Sequence, residues 1–306
     1  MKKLLPILLV LTLVLAGCSS TPQDSPSQAE GKKQLSVSVS IASVQWLVDK
    51  IGGDLVKTQS LTSSGDDPHT YEPTPNQMTA ITESDLFLTV GVEFEEVWIP
   101  KFLAANQNLT VVDISEGVER HMLDDHEHET HSEDDHNSEE HHHEGYDPHI
   151  WLSPERMKQI ADNITATLIQ FDPENTAVYQ ANLQNVLLLI NDVEAKLDDL
   201  LAEPIRKEFL MVHPSLGYLA DSYGLTMLSV EIDGQEPSPA QLAEILHLSK
   251  EYGIHTLFNQ LGTSPVNAQT LANQAGISQI FEIDPMQYDW QANLLQIGEF
   301  LQIALN

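Results

Sequence analysis

Short β-like segments alternate with helical segments along most of the chain, and this alternation is the strongest constraint on its fold. Leu35 to Ile41 alternates apolar and serine residues as a strand does, and Val44 to Ile51, closed by Gly52-Gly53, has helical spacing. The alternation of strand-like and helical segments stops after Ile114 and resumes from residue 204, with about four strands in each half. Strands joined through helices pair in parallel. The pattern therefore predicts an α/β protein of two lobes, each a roughly four-stranded, mostly parallel sheet flanked by helices.

A long amphipathic segment separates the two halves. Ser153-Pro154 is a typical helix start, and after a restart at Phe171-Asp172-Pro173 the helical pattern runs to Ala202. About thirty helical residues would be roughly 45 Å long, which suits one rigid helix joining two lobes. We expect an N-terminal lobe, a helical region with this linking helix and a C-terminal lobe, over residues 35–152, 153–203 and 204–306.

One segment interrupts the N-terminal lobe. Residues 119–147 contain twelve acidic residues and eight histidines with almost nothing apolar, so this insert cannot bury a core and is expected to be disordered without metal. A histidine-rich acidic tract is typical of weak metal binding, although a charged loop without a role has the same composition. We favour metal capture, and the candidate ligands are His121, His126, His128, His131, His136, His141, His142 and His143.

The N-terminus has the pattern of a secretory signal. Two lysines precede an apolar run from Leu4 to Leu15, which is too short to cross a bilayer. The stretch Leu-Ala-Gly-Cys that ends at Cys18 resembles the bacterial lipobox, in which the cysteine becomes the lipidated first residue after cleavage. Cys18 is the only cysteine, so it cannot form an internal disulfide. We expect a lipoprotein signal over residues 1–18, a flexible tether over 19–34, and a mature monomer held by lipid on the outer side of a bacterial membrane.

The charge balance excludes one class of partner. With 46 acidic and 14 basic residues the formal net charge is −32, so the chain has no basic surface for the phosphates of nucleic acid. An acidic surface of this kind is either simply solvated or favours cations.

Four residues at predicted strand ends are candidates for a metal site. They are His69 after the second strand, His149 after the insert, His213 at the end of the fifth strand and Asp284 at the end of the eighth. In parallel sheets, ligands bind beyond the carboxyl ends of the strands, so two facing lobes would bring these side chains together. Three imidazoles and one carboxylate suit a divalent metal, and best suit Zn²⁺ in tetrahedral geometry.

The neighbours of these candidates fit a stiff site. Each candidate ligand is next to a proline, which restricts its loop. Asp67 and Asp147 could orient the imidazoles two residues further on through hydrogen bonds. Asp-Pro is also a common way to open a turn, and we prefer this simpler interpretation for both aspartates.

Several stretches together resemble one family. Besides the lipobox and the histidine-rich insert they are D-P-H-T-Y-E-P at 67–73, D-P-H-I-W-L-S-P at 147–154, V-H-P-S-L-G-Y-L at 212–219 and I-D-P at 283–285. They resemble the zinc- and manganese-binding solute-binding proteins of ABC transporters, the ZnuA-like and TroA-like family, over essentially the whole mature chain. The resemblance implies two α/β lobes joined by a long rigid helix, with the metal bound between them.

The resemblance also implies roles for individual residues. It gives His69, His149 and His213 as the three histidine ligands and places Asp284 at the fourth, carboxylate position. Manganese-binding relatives often carry a carboxylate where His213 stands, so this histidine and the insert resemble the zinc branch. The chain departs from the family at Asn259, where many relatives carry glutamate; this removes none of the four ligands.

The implied function is high-affinity capture of a divalent metal outside the cytoplasm and its delivery to the permease of an ABC importer. Zinc is the expected metal, and manganese is the alternative. Because a straight linking helix resists a wide hinge motion, we expect release through local movement of the loops at His149 and Asp284.

Two other functions share parts of this pattern. A zinc hydrolase would use three protein ligands, an open water position and a general base; the chain has no H-E-x-x-H, and Glu72 is the best candidate base. An adhesin or a surface zinc buffer would use the same anchor and insert. We expect a binding protein rather than an enzyme.

Overall fold

A computed structural model of the protein describes residues 34–68, 71–121, 145–231 and 237–306. The predicted signal, most of the predicted tether, His69, and all of the insert's histidines except His121 lie outside the described residues. Residues 34–306 form one compact unit. Its two four-stranded sheets are parallel throughout the described strand pairs, which confirms the predicted α/β fold with two lobes.

The first lobe contains the first sheet. Its strands are β1 (Leu35–Val39), β2 (Val56–Ser60), β3 (Leu86–Thr89) and β4 (Thr110–Asp113). Helices α1 (Ala42–Gly52), α2 (Pro75–Thr82) and α3 (Glu93–Ala105) connect them. The strand order is β2-β1-β3-β4. Strand β3 is buried along its whole length, because helices cover both faces of a parallel sheet.

Two helices join the lobes. Helix α4 (Pro154–Phe171) begins at Ser153, whose side chain accepts a hydrogen bond from the backbone N–H of Arg156. Helix α5 (Thr176–Leu200) has 25 residues and is about 38 Å long. The continuous helix predicted from Pro173 to Ala202 is therefore shorter at both ends, because Pro173–Asn175 forms a separate 3₁₀ turn. Helix α5 packs against α1 and α4.

The second lobe repeats the arrangement of the first. Its strands are β5 (Glu208–Met211), β6 (Thr226–Ser229), β7 (Thr256–Gln260) and β8 (Gln279–Ile283), and its helices are α6 (Gly217–Ser222), α7 (Pro239–Glu251), α8 (Pro265–Ala275) and α9 (Trp290–Leu305). The strand order β6-β5-β7-β8 matches that of the first sheet. In both sheets the order reverses beside the first strand, and this is the point at which parallel sheets bind ligands.

The lobes share a continuous apolar core. Residues of the first sheet, of α5 and of the second sheet belong to one cluster of buried side chains. The rings of Trp46 and Trp290 are 5.7 Å apart. Trp290 Nε1 donates to the carbonyl of Trp151 at 2.7 Å, and Trp151 Nε1 donates to the carbonyl of Pro285 at 2.8 Å. These contacts fix the lobes to each other beside the carboxyl end of β8. None of the helices in the described ranges is both long and apolar enough to cross a membrane.

Candidate metal centre

Two of the predicted ligands lie side by side where the lobes meet. His149 comes just before the 3₁₀ turn Ile150–Leu152, and His213 follows β5 by two residues. Their ring centroids are 5.3 Å apart with the rings at 73°. The two residues are 2% and 6% exposed. The sequence prediction that distant histidines meet at this junction therefore agrees with the positions of these two residues.

A carboxylate lies on the Nδ1 side of each histidine. Asp147 Oδ1 is 2.7 Å from His149 Nδ1 and also accepts from the His149 backbone N–H at 2.9 Å. Glu231 Oε2 is 2.9 Å from His213 Nδ1. A carboxylate accepts hydrogen bonds, so each neutral ring carries its proton on Nδ1. The Nε2 lone pair is then the one available to a metal.

Asp284 has one oxygen fixed and one without a partner. It follows β8 directly, and its Oδ1 accepts from the backbone N–H of Met286 at 3.0 Å. Asn293 Nδ2 donates to the Asp284 carbonyl at 2.9 Å, which fixes the backbone. Asp284 Oδ2 and His149 Nε2 are both buried and have no hydrogen-bond partner among the described residues. An unpaired buried polar atom costs about 1–3 kcal/mol, so both atoms are suited to accept a ligand.

The full set of four ligands stays a prediction. His69 lies outside the described residues. Within the ranges that the structure describes, no group of three or more His, Cys, Asp or Glu side chains is arranged to hold a metal ion. Asp67 and Glu72, which lie two residues before and three residues after His69 in the sequence, line a cavity of about 460 Å³.

Glu231 was not predicted from the sequence, and for Asp147 the sequence left two interpretations, of which the turn opener was preferred. The side chain of Asp147 contacts the ring of His149, which agrees with the other interpretation, a residue that orients this imidazole. Glu231 follows β6, the strand next to β5, so its position after a neighbouring strand end could have indicated it. The hydrogen bond between Trp151 and Pro285 joins residues 134 positions apart, and no pattern in the sequence predicted it.

His121 differs from its expected role as part of a flexible metal collector. Its Nδ1 is 2.7 Å from Asp221 Oδ2, and its Nε2 is 3.1 Å from Arg156 Nη2. Both ring nitrogens are therefore engaged in this arrangement. The other seven candidate histidines of the insert lie outside the described residues.

Two further buried polar residues lie near the strand ends. Glu95 is 4% exposed and accepts from the backbone N–H groups of Val90 and Gly91, at 2.9 Å each. Burial raises the pKa of Glu95 to about 7, against the opposing effect of its hydrogen bonds. Asn259 is buried in β7 and accepts from the hydroxyl of Thr263 at 2.9 Å, so at this position it stabilises the turn after the strand.

Several known proteins are similar to this chain over most of its length. The sequence profile of the family described as zinc-uptake complex component A periplasmic, ZnuA, matches residues 37–297. The high-affinity zinc uptake system protein ZnuA of Bacillus subtilis is 31% identical, over 86% of this chain and 82% of the relative. The zinc-binding lipoprotein AdcA of Streptococcus pneumoniae is 29% identical over 90% of this chain, but the chain spans only 54% of AdcA.

A manganese-binding protein and a protein of solved structure are also similar to this chain. The manganese-binding lipoprotein MntA of Halalkalibacterium halodurans is 22% identical over 89% of this chain and 85% of the relative. A crystal structure of ZnuA superposes with a TM-score of 0.80 at 31% identity, covering 90% of this chain and all of that one.

Proposed function

The chain belongs to the family of periplasmic zinc-uptake complex A components, and from this premise we propose that it binds one zinc ion between its lobes through His69, His149, His213 and Asp284. The protein is a solute-binding protein for metal uptake and not an enzyme, so the metal is its cargo. It works outside the cytoplasm and hands the metal to the permease of an ABC importer.

The pairing of His149 with His213 carries the assignment of the site. In a tetrahedral zinc site each nitrogen is about 2.0–2.1 Å from the metal, which places two imidazole centroids about 5.2 Å apart. The observed separation of 5.3 Å matches this value. The carboxylates behind both rings orient the imidazoles and direct Nε2 of each ring to the metal, as hydrogen-bond partners of metal-binding histidines do.

Zinc fits this donor set better than manganese does. The proposed ligands include three nitrogens, which suit zinc, whereas manganese prefers oxygen ligands. Manganese remains the alternative cargo, since one relative is described as manganese-binding. The mature protein, isolated from its own host, is expected to contain mainly zinc by metal analysis.

The test of the site is a competitive titration of zinc against a chromophoric chelator. We expect one tight ion in the mature wild-type chain and loss of that ion in His213→Ala. His247→Ala is the matched control, because His247 is exposed on α7 and its nearest carboxylate partner, Glu251, is 3.7 Å away. Equal affinity of His213→Ala and wild type would overturn the proposed site.

We also propose the arrangement of the parts around the site. Residues 1–18 form the lipoprotein signal with its lipobox, Cys18 becomes the lipidated first residue after cleavage, and residues 19–34 form the tether of a monomer. Residues 35–152, 153–203 and 204–306 form the first lobe, the helical region and the second lobe. The insert collects zinc weakly for the tight site. Cys18→Ala is expected to release the protein from the membrane fraction, and unchanged membrane association would contradict the anchor.

A further inference from the structure

The two ends of the histidine-rich insert meet on a tyrosine of the second lobe. The backbone N–H of His121 donates to the Tyr218 hydroxyl at 3.1 Å, and this hydroxyl donates to the carbonyl of Asp147 at 2.6 Å. The backbone N–H of Asp147 donates in turn to the carbonyl of His121 at 3.0 Å. Tyr218 lies on α6 and is fully buried. Three hydrogen bonds thus close the base of the insert.

Side chains from two other elements support this closure. The ring of His121 lies 4.7 Å from the ring of Tyr218, and its Nδ1 is 2.7 Å from Asp221 of α6. The guanidinium of Arg156, on α4, lies 4.3 Å from the Tyr218 ring, and its Nε donates to the Glu119 carbonyl at 3.0 Å. Burial raises the pKa of Tyr218 to about 12, so its hydroxyl stays protonated and remains a donor.

The same closure holds one of the proposed ligands. The backbone of Asp147 is held by Tyr218 and His121, and its side chain accepts from both the backbone N–H and the ring of His149. The Asp147 side chain also packs closely against the start of α6, where a Cβ added to Gly217 would come within 2.9 Å of Asp147 Oδ2. A displacement of the insert's C-terminal end would therefore turn the ring of His149.

We propose that Tyr218 is a positioning residue of the metal site, which holds Asp147 and, through it, the ring of His149. Because it binds both His121 and Asp147, metal binding by the insert between them does not displace His149. This inference rests on the proposed zinc site. It gives the insert and the tight site one common support on the second lobe.

The first test compares two tyrosine-to-phenylalanine variants in the full mature chain. Tyr218→Phe leaves the Asp147 carbonyl and the His121 N–H without their partner, and we expect zinc to bind about tenfold more weakly in the chelator competition. Tyr223→Phe is the matched control, because that hydroxyl bonds to Asp198, away from the site, and its affinity is expected to equal that of wild type. The visible spectrum of bound Co²⁺ should change in Tyr218→Phe only.

A second comparison separates clamping from general damage. Residues 122–144 are replaced by a short glycine-serine linker that joins His121 to Gly145. In this shortened chain we expect Tyr218→Phe to weaken zinc binding by less than about threefold, because no long insert is left that could displace Asp147. If Tyr218→Phe is too unstable to titrate, Asp221→Asn gives the same comparison from an exposed position.

The results of these experiments distinguish failure of the role of Tyr218 from failure of the proposed zinc site. Equal losses in the long and the shortened chain, or no loss in either, would overturn the role of Tyr218 while the zinc site stands. Absence of a tight ion in the wild-type protein would overturn both. Tenfold loss in the long chain with rescue in the shortened chain supports the clamp.

Discussion

At the scale of single residues, the carboxylates behind the two histidines decide how well the site holds a metal. Glu231 keeps the proton of His213 on Nδ1 through a contact of 2.9 Å. We expect Glu231→Ala to weaken zinc binding about 10- to 100-fold, because the ring then loses its fixed tautomer and orientation. Glu251→Ala is the control, since Glu251 is exposed near His247. Chelator competition measures the affinity, and equal values for the two variants would exclude this role.

The ligands could be predicted from the sequence more easily than their supports. His149 and His213 each stand beside a proline at the edge of a predicted element, which is a local signal. Glu231 has no such signal, because its role depends on β6 being the spatial neighbour of β5. The Asp-Pro pair of Asp147 fits a turn equally well, so the contact of its side chain with the ring of His149 becomes visible only in the folded structure.

Glu95 predicts a pH dependence of stability. Its pKa is raised by burial from 4.5 to about 7, so between these values the folded protein keeps a proton that the unfolded chain releases. The contribution of Glu95 to the free energy of unfolding is complete below about pH 4.5. It decreases by about 3 kcal/mol at most as the pH rises through 7. Glu95→Gln, which cannot ionise, is expected to flatten this decrease in the free energy of unfolding.

The matched control for Glu95 is its neighbour. Glu96 is exposed on the same helix, so Glu96→Gln should keep the wild-type pH profile. Urea unfolding at about pH 5, 6 and 7.5 gives the free energies. If Glu95→Gln and Glu96→Gln had the same profile, the Glu95 carboxyl would not be the source of the decrease.

At the scale of elements, strand and helix order followed from hydrophobic periodicity, whereas element ends did not. The fifth strand, which was predicted to end at His213, ends at Met211 in the structure. Val212 misled the prediction, because its side chain packs against the apolar cluster of the second lobe although it follows the strand. Periodicity records which side chains are buried. It does not record where backbone pairing stops, and for this reason the predicted strands are too long.

The insert is the element whose removal has the clearest expected result. Because the His121 carbonyl and the Asp147 N–H are 3.0 Å apart, the ends of residues 122–144 can be joined by a short linker without strain. We expect this deletion to remove weak zinc binding and to keep the tight ion, measured by titration. In the full chain, acid below about pH 6 should remove the weak ions first, since free imidazoles then take up protons.

A deletion that also removes His121 is the informative comparison. It takes away the ring that contacts Asp221 and Arg156, so tight binding should weaken as well. If the tight ion were lost with residues 122–144 alone, the insert would belong to the tight site and would not be a separate collector.

At the scale of the whole molecule, the lobes behave as parts of one body. The buried tryptophans Trp46, Trp151 and Trp290 and the helix α5 join them through a shared apolar core. Trp151 also ties the loop of His149 to the residue that follows Asp284. A wide rotation of the lobes would break these contacts and expose apolar surface, which costs about 25 cal/mol per Å². Metal release through movement of the ligand loops avoids this cost.

This argument predicts that the distance between the lobes changes little when zinc binds. With Cys18 removed the chain has no other cysteine, so spin labels can be placed at Glu83 in the first lobe and Asn273 in the second, both exposed. We expect pulsed electron paramagnetic resonance to give the same mean distance between the two labels with and without zinc, to within about 2 Å. A label pair at Lys57 and Glu83, both in the first lobe, reports the precision of the measurement. A larger shift between the lobes than within the first lobe would mean that the shared core separates on metal release and that the lobes rotate as rigid bodies.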